Sequence, residues 1–396
     1  MTSSVSNPPR FRSLDGLRGI AACLVLLGHV GWQNHITGTR FVINGYLSVD
    51  MFFMISGLVI AANYSDRIRG GATILPFLGM RFFRLYPLHI AALGMLVGLE
   101  CLKLASGALI GISPQLQPFT GGQSLTALVA NVSLVHGLGW MRQTGWNVPS
   151  WSISCECCAY IAFAVAAKSG VLRSKWFLAG ASGAGIAIYL GIALTRGTLN
   201  VILDFGILRC FAGFACGVLL WEHRDRVNSL QFLHHGWVHL ATTGALILVI
   251  GLATGPAVAS AIPLFALLIA QVVSDRGPAA RVLTARAPQF LGRISYSVYM
   301  AHEFVIICML ICIKRGAPIS FDPTIGRDMA VMNPWLGDVL VLMLVVVVLV
   351  LSSATFRFIE EPGRNLGRRL MHRGLRTDEA GRPLPAAVRR RVSESY

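Results

Sequence analysis

Arg18 and His29 stand eleven positions apart, and the residues between them, Gly-Ile-Ala-Ala-Cys-Leu-Val-Leu-Leu-Gly, are apolar or small. On an α-helix eleven residues turn through about 1,100°, about 20° past three full turns, and rise about 16.5 Å. The two side chains therefore share one helix face at different depths. Arginine stays protonated and its planar fork suits phosphate or carboxylate, whereas a neutral imidazole can take a proton from a hydroxyl. One face thus offers an anion contact and a base. A snorkelling arginine at a helix end and a hydrogen-bonded core histidine present the same pattern, so the pair takes its meaning from its surroundings.

Those surroundings contain more charge than apolar segments tolerate cheaply. Asp50, Glu100, Glu156, Asp204 and Glu303 lie in or at the edge of apolar runs, together with Arg84, His89, Arg209 and His302. One charge at the centre of a membrane-spanning helix costs about 2.5–3.5 kcal/mol on insertion scales. A concentration of them marks a polar cavity inside a helix bundle, or buried ion pairs that tie helices together.

The elements that must position these residues follow from composition. Of 396 residues 54% are hydrophobic and only 13% charged, against about 25% charged in soluble domains, and the mean hydropathy is +0.63. These values exclude an ordinary soluble enzyme, a disordered chain, collagen and a coiled coil. Apolar runs of about membrane-spanning length fall at 19–32, 46–63, 84–107, 149–168, 176–194, 201–221, 236–253, 257–274, 293–313 and 335–356. The reading is an all-α polytopic membrane helix bundle of about ten transmembrane helices. The first run follows basic residues but lacks a small-x-small cleavage site, which marks it as an uncleaved helix.

Basic residues set the orientation. Arg10 and Arg12, then Arg67, Arg69 and Arg81, then Lys168, Arg173 and Lys175, then Arg224 and Arg226, then Arg276, Arg281 and Arg286 occupy alternate loops, and Arg364, Arg368 and Arg369 follow the last span. The positive-inside rule places these loops and both termini in the cytoplasm. The formal charge of +16 then belongs mainly to cytoplasmic loops and tail facing anionic lipid, and nucleic acid is not a partner. Residues 1–362 form one membrane domain, and 363–396 a disordered basic cytoplasmic tail, too short for a soluble catalytic domain. Internal repeats of the transporter kind are absent. The nine cysteines lie mostly within apolar runs and have no second pair at zinc-like spacing, so they read as packing residues. His234, His235 and His239 lack a completing carboxylate or cysteine, and no metal is expected.

The chain resembles the membrane-bound acyltransferase 3 family, which includes bacterial O-acetyltransferases of surface polysaccharides. Six blocks in order carry the resemblance: Leu14-Asp15-Gly16-Leu17-Arg18-Gly19 with His29; Ser48-Val49-Asp50-Met51-Phe52-Phe53-Met54-Ile55-Ser56-Gly57; Arg81, Arg84 and Pro87; Trp151-Ser152-Ile153-Ser154-Cys155-Glu156; Leu291-Gly292-Arg293-Ile294-Ser295-Tyr296-Ser297-Val298-Tyr299; and Phe358-Ile359-Glu360-Glu361-Pro362. Relatives often carry two acidic residues at the fourth block and an aromatic beside the late histidine, where this chain has Glu156-Cys157 and Ala301-His302.

The resemblance implies an acyltransferase in the bacterial inner membrane. It would move an acyl group, acetyl in the first instance, from acyl-CoA across the membrane to a hydroxyl of a cell-surface or exported polysaccharide. It assigns catalysis to His29, Arg18, Asp50 and Glu156, with His29 as base or transient acyl carrier, Asp50 orienting a partner and Glu156 completing an outer site. Arg81, Arg84 and Arg18 would hold the coenzyme phosphates and arm. Trp151, Ser152 and His302 would face the acceptor, a glycan or lipid-linked saccharide, although His302 by itself also reads as an interhelical hydrogen-bonding histidine. A separate extracytoplasmic protein could finish the transfer. Acylation of a small molecule such as a macrolide by the same chemistry, or a transporter that uses the intramembrane charges, are the alternatives.

Overall fold

A computed structural model describes residues 11–110, 117–313, 317–322 and 327–371. In chain order the helices are α1 (Arg12–Gly28), α2 (Arg40–Ile43), α3 (Ser48–Arg69), α4 (Ile74–Ile110), α5 (Leu125–Val132), α6 (Trp151–Ser169), α7 (Lys175–Arg196) and α8 (Gly206–Glu222). They continue with α9 (Arg224–Ser229), α10 (Gly236–Leu252), α11 (Ala261–Val272), α12 (Gly277–Leu283), α13 (Arg286–Ile313), α14 (Pro334–Thr355) and α15 (Glu361–Met371). Each of the ten expected apolar runs falls on a helix. Among the described residues seven helical stretches are long and apolar enough to cross a membrane by length and composition, and Gly236–Leu252 is a shorter apolar helix. The strands β1 (Ile319–Asp322) and β2 (Arg327–Ala330) form one antiparallel hairpin, which the all-α reading lacked.

The chain forms helices here because its apolar segments must satisfy their backbone groups internally once water is gone. Their outer faces confirm the solvent. On α14, Leu336, Val339, Leu342, Met343, Val346 and Val350 are all exposed, a continuous apolar band that lipid accepts and water does not. Association within lipid depends on close packing at small residues, and two helix pairs use it. A side chain at Gly19 of α1 would collide with the Gly292 backbone of α13, and one at Gly217 of α8 would collide with the Met54 carbonyl of α3. Gly19 and Gly292 of the first and fifth motif blocks, Gly57 of the second, which closes on the Phe214 carbonyl, and Gly217 thus bring α1 to α13 and α3 to α8, and with them His29, Asp50, Arg209 and His302.

Two boundaries differ from the sequence reading. Helix α4 begins at Ile74 rather than near Arg84, because Ile74-Leu75-Pro76-Phe77-Leu78 is itself apolar and Phe77 is fully buried; Arg81, expected in a loop, is therefore intrahelical. The expected tail boundary at 363 falls inside α15. A single π turn, Phe356–Glu360, joins α14 to α15 and turns Glu360 inward, where it is buried. Residues 372–396, with Arg389, Arg390 and Arg391, and Arg10 at the other terminus lie outside the described residues.

Candidate active site

The polar residues of the bundle line three successive cavities. The first, about 200 Å³, lies where α3, α4 and α15 meet and is lined by Asn63, Tyr64, Arg67, Arg81, Arg84, Arg364 and Arg368 with Val59 and Met80. Val59, Arg81 and Arg84 also line the second, a narrow space of about 70 Å³ that adds Arg18, Ser56, Ser152, Glu156 and Tyr160. Val49 and Tyr299 are shared in turn with the third. That cavity, about 800 Å³, contains His29, Thr37, Arg40, Asn44, Thr144, Trp151, Thr198, Asn200 and Arg209. Arg18 and His29 thus line different, neighbouring cavities, as their separation of about 16.5 Å on α1 requires.

His29 ends α1. Its Nδ1–H donates to the Val25 carbonyl at 2.8 Å, and since a carbonyl only accepts, that nitrogen carries a proton, which in the neutral ring leaves the lone pair on Nε2. A half-buried histidine held this way has a fixed ring orientation. His302 lies edge-on to it with ring centroids 5.0 Å apart. It is fully buried, anchored through Nδ1 to the Val298 carbonyl at 3.0 Å, and its Nε2 has no hydrogen-bond partner. His302 thus backs the His29 ring and is not among the residues lining any of the three cavities.

His29, His302 and Glu303 offer ligand atoms within 4.8 Å of one another, a set that could hold a metal among the described residues. Proton transfer at His29 needs the same Nε2 lone pair that a metal would occupy. Turnover is therefore expected to survive prolonged EDTA or dipicolinate treatment of the detergent-solubilised protein. Loss of turnover that zinc restores would make this a metal centre.

The structure separates the other expected catalytic residues. Asp50 accepts from Arg209 Nε at 2.7 Å and Nη2 at 2.6 Å, and from the Tyr189 hydroxyl at 3.1 Å. Arg209 also donates to the carbonyls of Tyr46 and Val201. Both partners are buried, with side chains 0% and 1% exposed. Asp50 therefore orients Arg209, a third-cavity wall residue that had no role assigned from sequence. Glu156, expected at the outer site, faces the second cavity instead, because five residues down α6 from Trp151 carry it about 7.5 Å inward. There it accepts a hydrogen bond from the Ser56 hydroxyl. Trp151 does line the third cavity, and the Arg209 guanidinium lies over its ring 5.9 Å from the centroid. Ser152 lines the second, where its hydroxyl meets that of Tyr299 at 2.8 Å. Tyr299 also donates to the Pro149 carbonyl at 2.9 Å, so a hydrogen-bonded tyrosine stands between the second and third chambers.

Other polar residues serve packing. His89 is buried, bonded to the Asn131 carbonyl, and stacks on His136 with ring centroids 5.9 Å apart. Burial, then the His89 charge, push His136 down to about 4, so it stays neutral against Ser150. All nine cysteines are free thiols.

Residues 11–354 match the sequence model of a family described as an acyltransferase domain. Among curated proteins the chain is similar to Acyltransferase MdmB of Streptomyces mycarofaciens, 27% identical over 76% of this chain and 80% of the relative. It is also similar to Exopolysaccharide production protein ExoZ of Rhizobium meliloti, 29% identical over 72% of the chain and 84% of the relative. A third relative is the Putative membrane-bound transacylase BcsY of Komagataeibacter xylinus, 26% identical over 74% and 72%. No solved structure matches the chain.

Proposed function

This chain belongs to the acyltransferase 3 family, and on that premise we propose that it transfers an acetyl group from acetyl-CoA in the cytoplasm to a hydroxyl of an exported polysaccharide. The observation that carries the reading is the series of neighbouring cavities: an arginine-lined chamber at one end, a histidine in a larger chamber at the other, and shared wall residues between. An acyltransferase with donor and acceptor on opposite faces of a membrane needs this arrangement. Ten spans with both termini in the cytoplasm, in a bacterial inner membrane, put the arginines on the donor side.

In this reading the phosphates of the coenzyme bind Arg81 and Arg84, and its amide-containing arm runs past Arg18 and Glu156, whose carboxylate accepts from amide N–H groups. The thioester then reaches the third chamber. His29 Nε2 takes the proton of the acceptor hydroxyl as its oxygen attacks the thioester carbonyl; the C–O bond forms, the C–S bond breaks, and the proton passes to the departing sulfur. Thr37, Asn44, Thr198 and Asn200 with the Trp151 ring give the acceptor chamber the hydroxyl and amide partners and aromatic surface that a sugar uses. The exopolysaccharide-production relative favours a polysaccharide as acceptor.

Purified protein in nanodiscs, given labelled acetyl-CoA and polysaccharide from a strain lacking the gene, is expected to label the polysaccharide with an alkali-labile ester. Mass spectrometry of surface glycans from that strain should show the matching acetyl group missing. Uptake or efflux of label without covalent transfer would overturn the reading in favour of a transporter.

A further inference from the structure

We propose that the amphipathic helix α15 forms the second wall of the donor site, and that Arg364 and Arg368 bind the phosphates of the donor nucleotide together with Arg67, Arg81 and Arg84. This rests on the acyl-CoA reading above and extends it to residues whose charges had signified only orientation. Five guanidiniums from three elements, α3, α4 and α15, line one chamber of about 200 Å³, and no aspartate or glutamate among the described residues lines it. The carboxylate beside it, Glu360, is engaged: it accepts from Ser297 at 2.8 Å and lies 3.7 Å from Arg364.

Like charges gathered this way repel, and more strongly where burial lowers the local dielectric. A chamber built from them is complementary to a polyanion. Adenosine 3′-phosphate 5′-diphosphate, the nucleotide portion of CoA, carries several such charges, and arginine forks match phosphate oxygens in pairs. Asn63 and Tyr64 add neutral hydrogen-bonding groups to the same wall.

The docking of α15 is specified by packing as well as charge. A Cβ at Gly363 would lie 2.8 Å from Pro87 Cγ of α4, and one at Gly367 would lie 2.5 Å from Phe83 Cβ. The two glycines, one turn apart, let α15 lie against α4 beside its proline. On its other side Leu366 and Leu370 are exposed and apolar, and Arg369 is exposed, so the helix lies in the membrane interface with Arg364 and Arg368 turned to the chamber. Arg369, one residue on, is about 100° away around the helix and provides the control. If α15 were only a basic membrane anchor, losing Arg369 would matter as much as losing Arg368.

The test uses the full-length protein in nanodiscs and two readouts, calorimetric binding of CoA and of adenosine 3′,5′-bisphosphate, and the KM for acetyl-CoA against that for acetyl-pantetheine, which lacks the nucleotide. The pair Arg364→Gln/Arg368→Gln is expected to weaken binding of both nucleotides at least tenfold and to raise the acetyl-CoA KM to match. Its acetyl-pantetheine KM and its kcat should stay within twofold. Arg369→Gln should change nothing, and Gly367→Leu, which forces α15 off Phe83, should reproduce the double variant. Equal nucleotide binding by wild type and double variant would overturn the inference and leave the donor reading standing. Acetyl transfer by a wild-type protein that binds neither nucleotide would overturn both, and an equal effect of Arg369→Gln would reduce α15 to an anchor.

Discussion

His29→Ala is expected to lower kcat for acyl transfer by about a hundredfold to ten-thousandfold, the range that one positioned acid–base group contributes, while the KM for the donor stays near that of the wild type. The split follows from the geometry. His29 lines only the third chamber, and the arginines line the first, so removing the imidazole takes away the base without touching the phosphates. The fold should persist, because the ring is only partly buried and, among the described residues, its hydrogen bond closes onto its own helix at Val25. His29→Gln should be as inactive as His29→Ala, since an amide keeps a donor for Val25 but has no basic nitrogen. His302→Ala should cost less, because His302 supports the ring edge-on and lines none of the chambers. Steady-state kinetics on membranes matched for protein content checks all three. Normal turnover in His29→Ala would remove the catalytic assignment.

Asp50→Ala is expected to fail in a different way, by loss of folded protein. The Arg209 guanidinium is 1% exposed and receives its countercharge from Asp50. Removing one member of a buried pair leaves an uncompensated charge and costs about 3–5 kcal/mol, a large part of the 5–15 kcal/mol that holds a typical domain together. Arg209→Ala should be comparably unstable. The double replacement Asp50→Leu/Arg209→Met, which removes both charges and retains volume, should recover much of the folded fraction, measured as monodisperse protein after detergent extraction and thermal challenge. Its acceptor KM should nevertheless rise, because Arg209 lies on the wall of the third chamber. An Asp50→Asn protein with wild-type stability and abolished turnover would instead place Asp50 in the chemistry.

The two variants differ in kind because the residues resemble each other in sequence and not in space. Asp50 and His29 both sit in motif blocks and both carry intramembrane polarity. Burial ties one to Arg209. Exposure to a chamber, with Nδ1 tied to the backbone, suits the other to the role of base proposed above. Glu156 shows the same limit, since the end at which its helix begins does not give its depth, and that depth puts it in the narrow middle chamber.

Much of the molecule was determined by the sequence alone, because the bilayer leaves few solutions for long apolar segments: helices are forced, their approximate positions follow from length and hydropathy, and helical periodicity puts Arg18 and His29 on one face of α1 at known depths. The ordered motif blocks were legible through their resemblance to the acyltransferase 3 family, whereas physical argument singled out the charged residues within apolar runs. What only the tertiary structure decided was pairing between helices distant in the chain. Asp50 meets Arg209 across 159 positions, His29 meets His302, and the tail arginines Arg364 and Arg368 join Arg81 and Arg84, contacts set by glycines whose close approach depends on both surfaces at once. A charge pattern fixes the side of the membrane on which an arginine lies. Whether it meets lipid, a carboxylate or a phosphate depends on the helix packed against it.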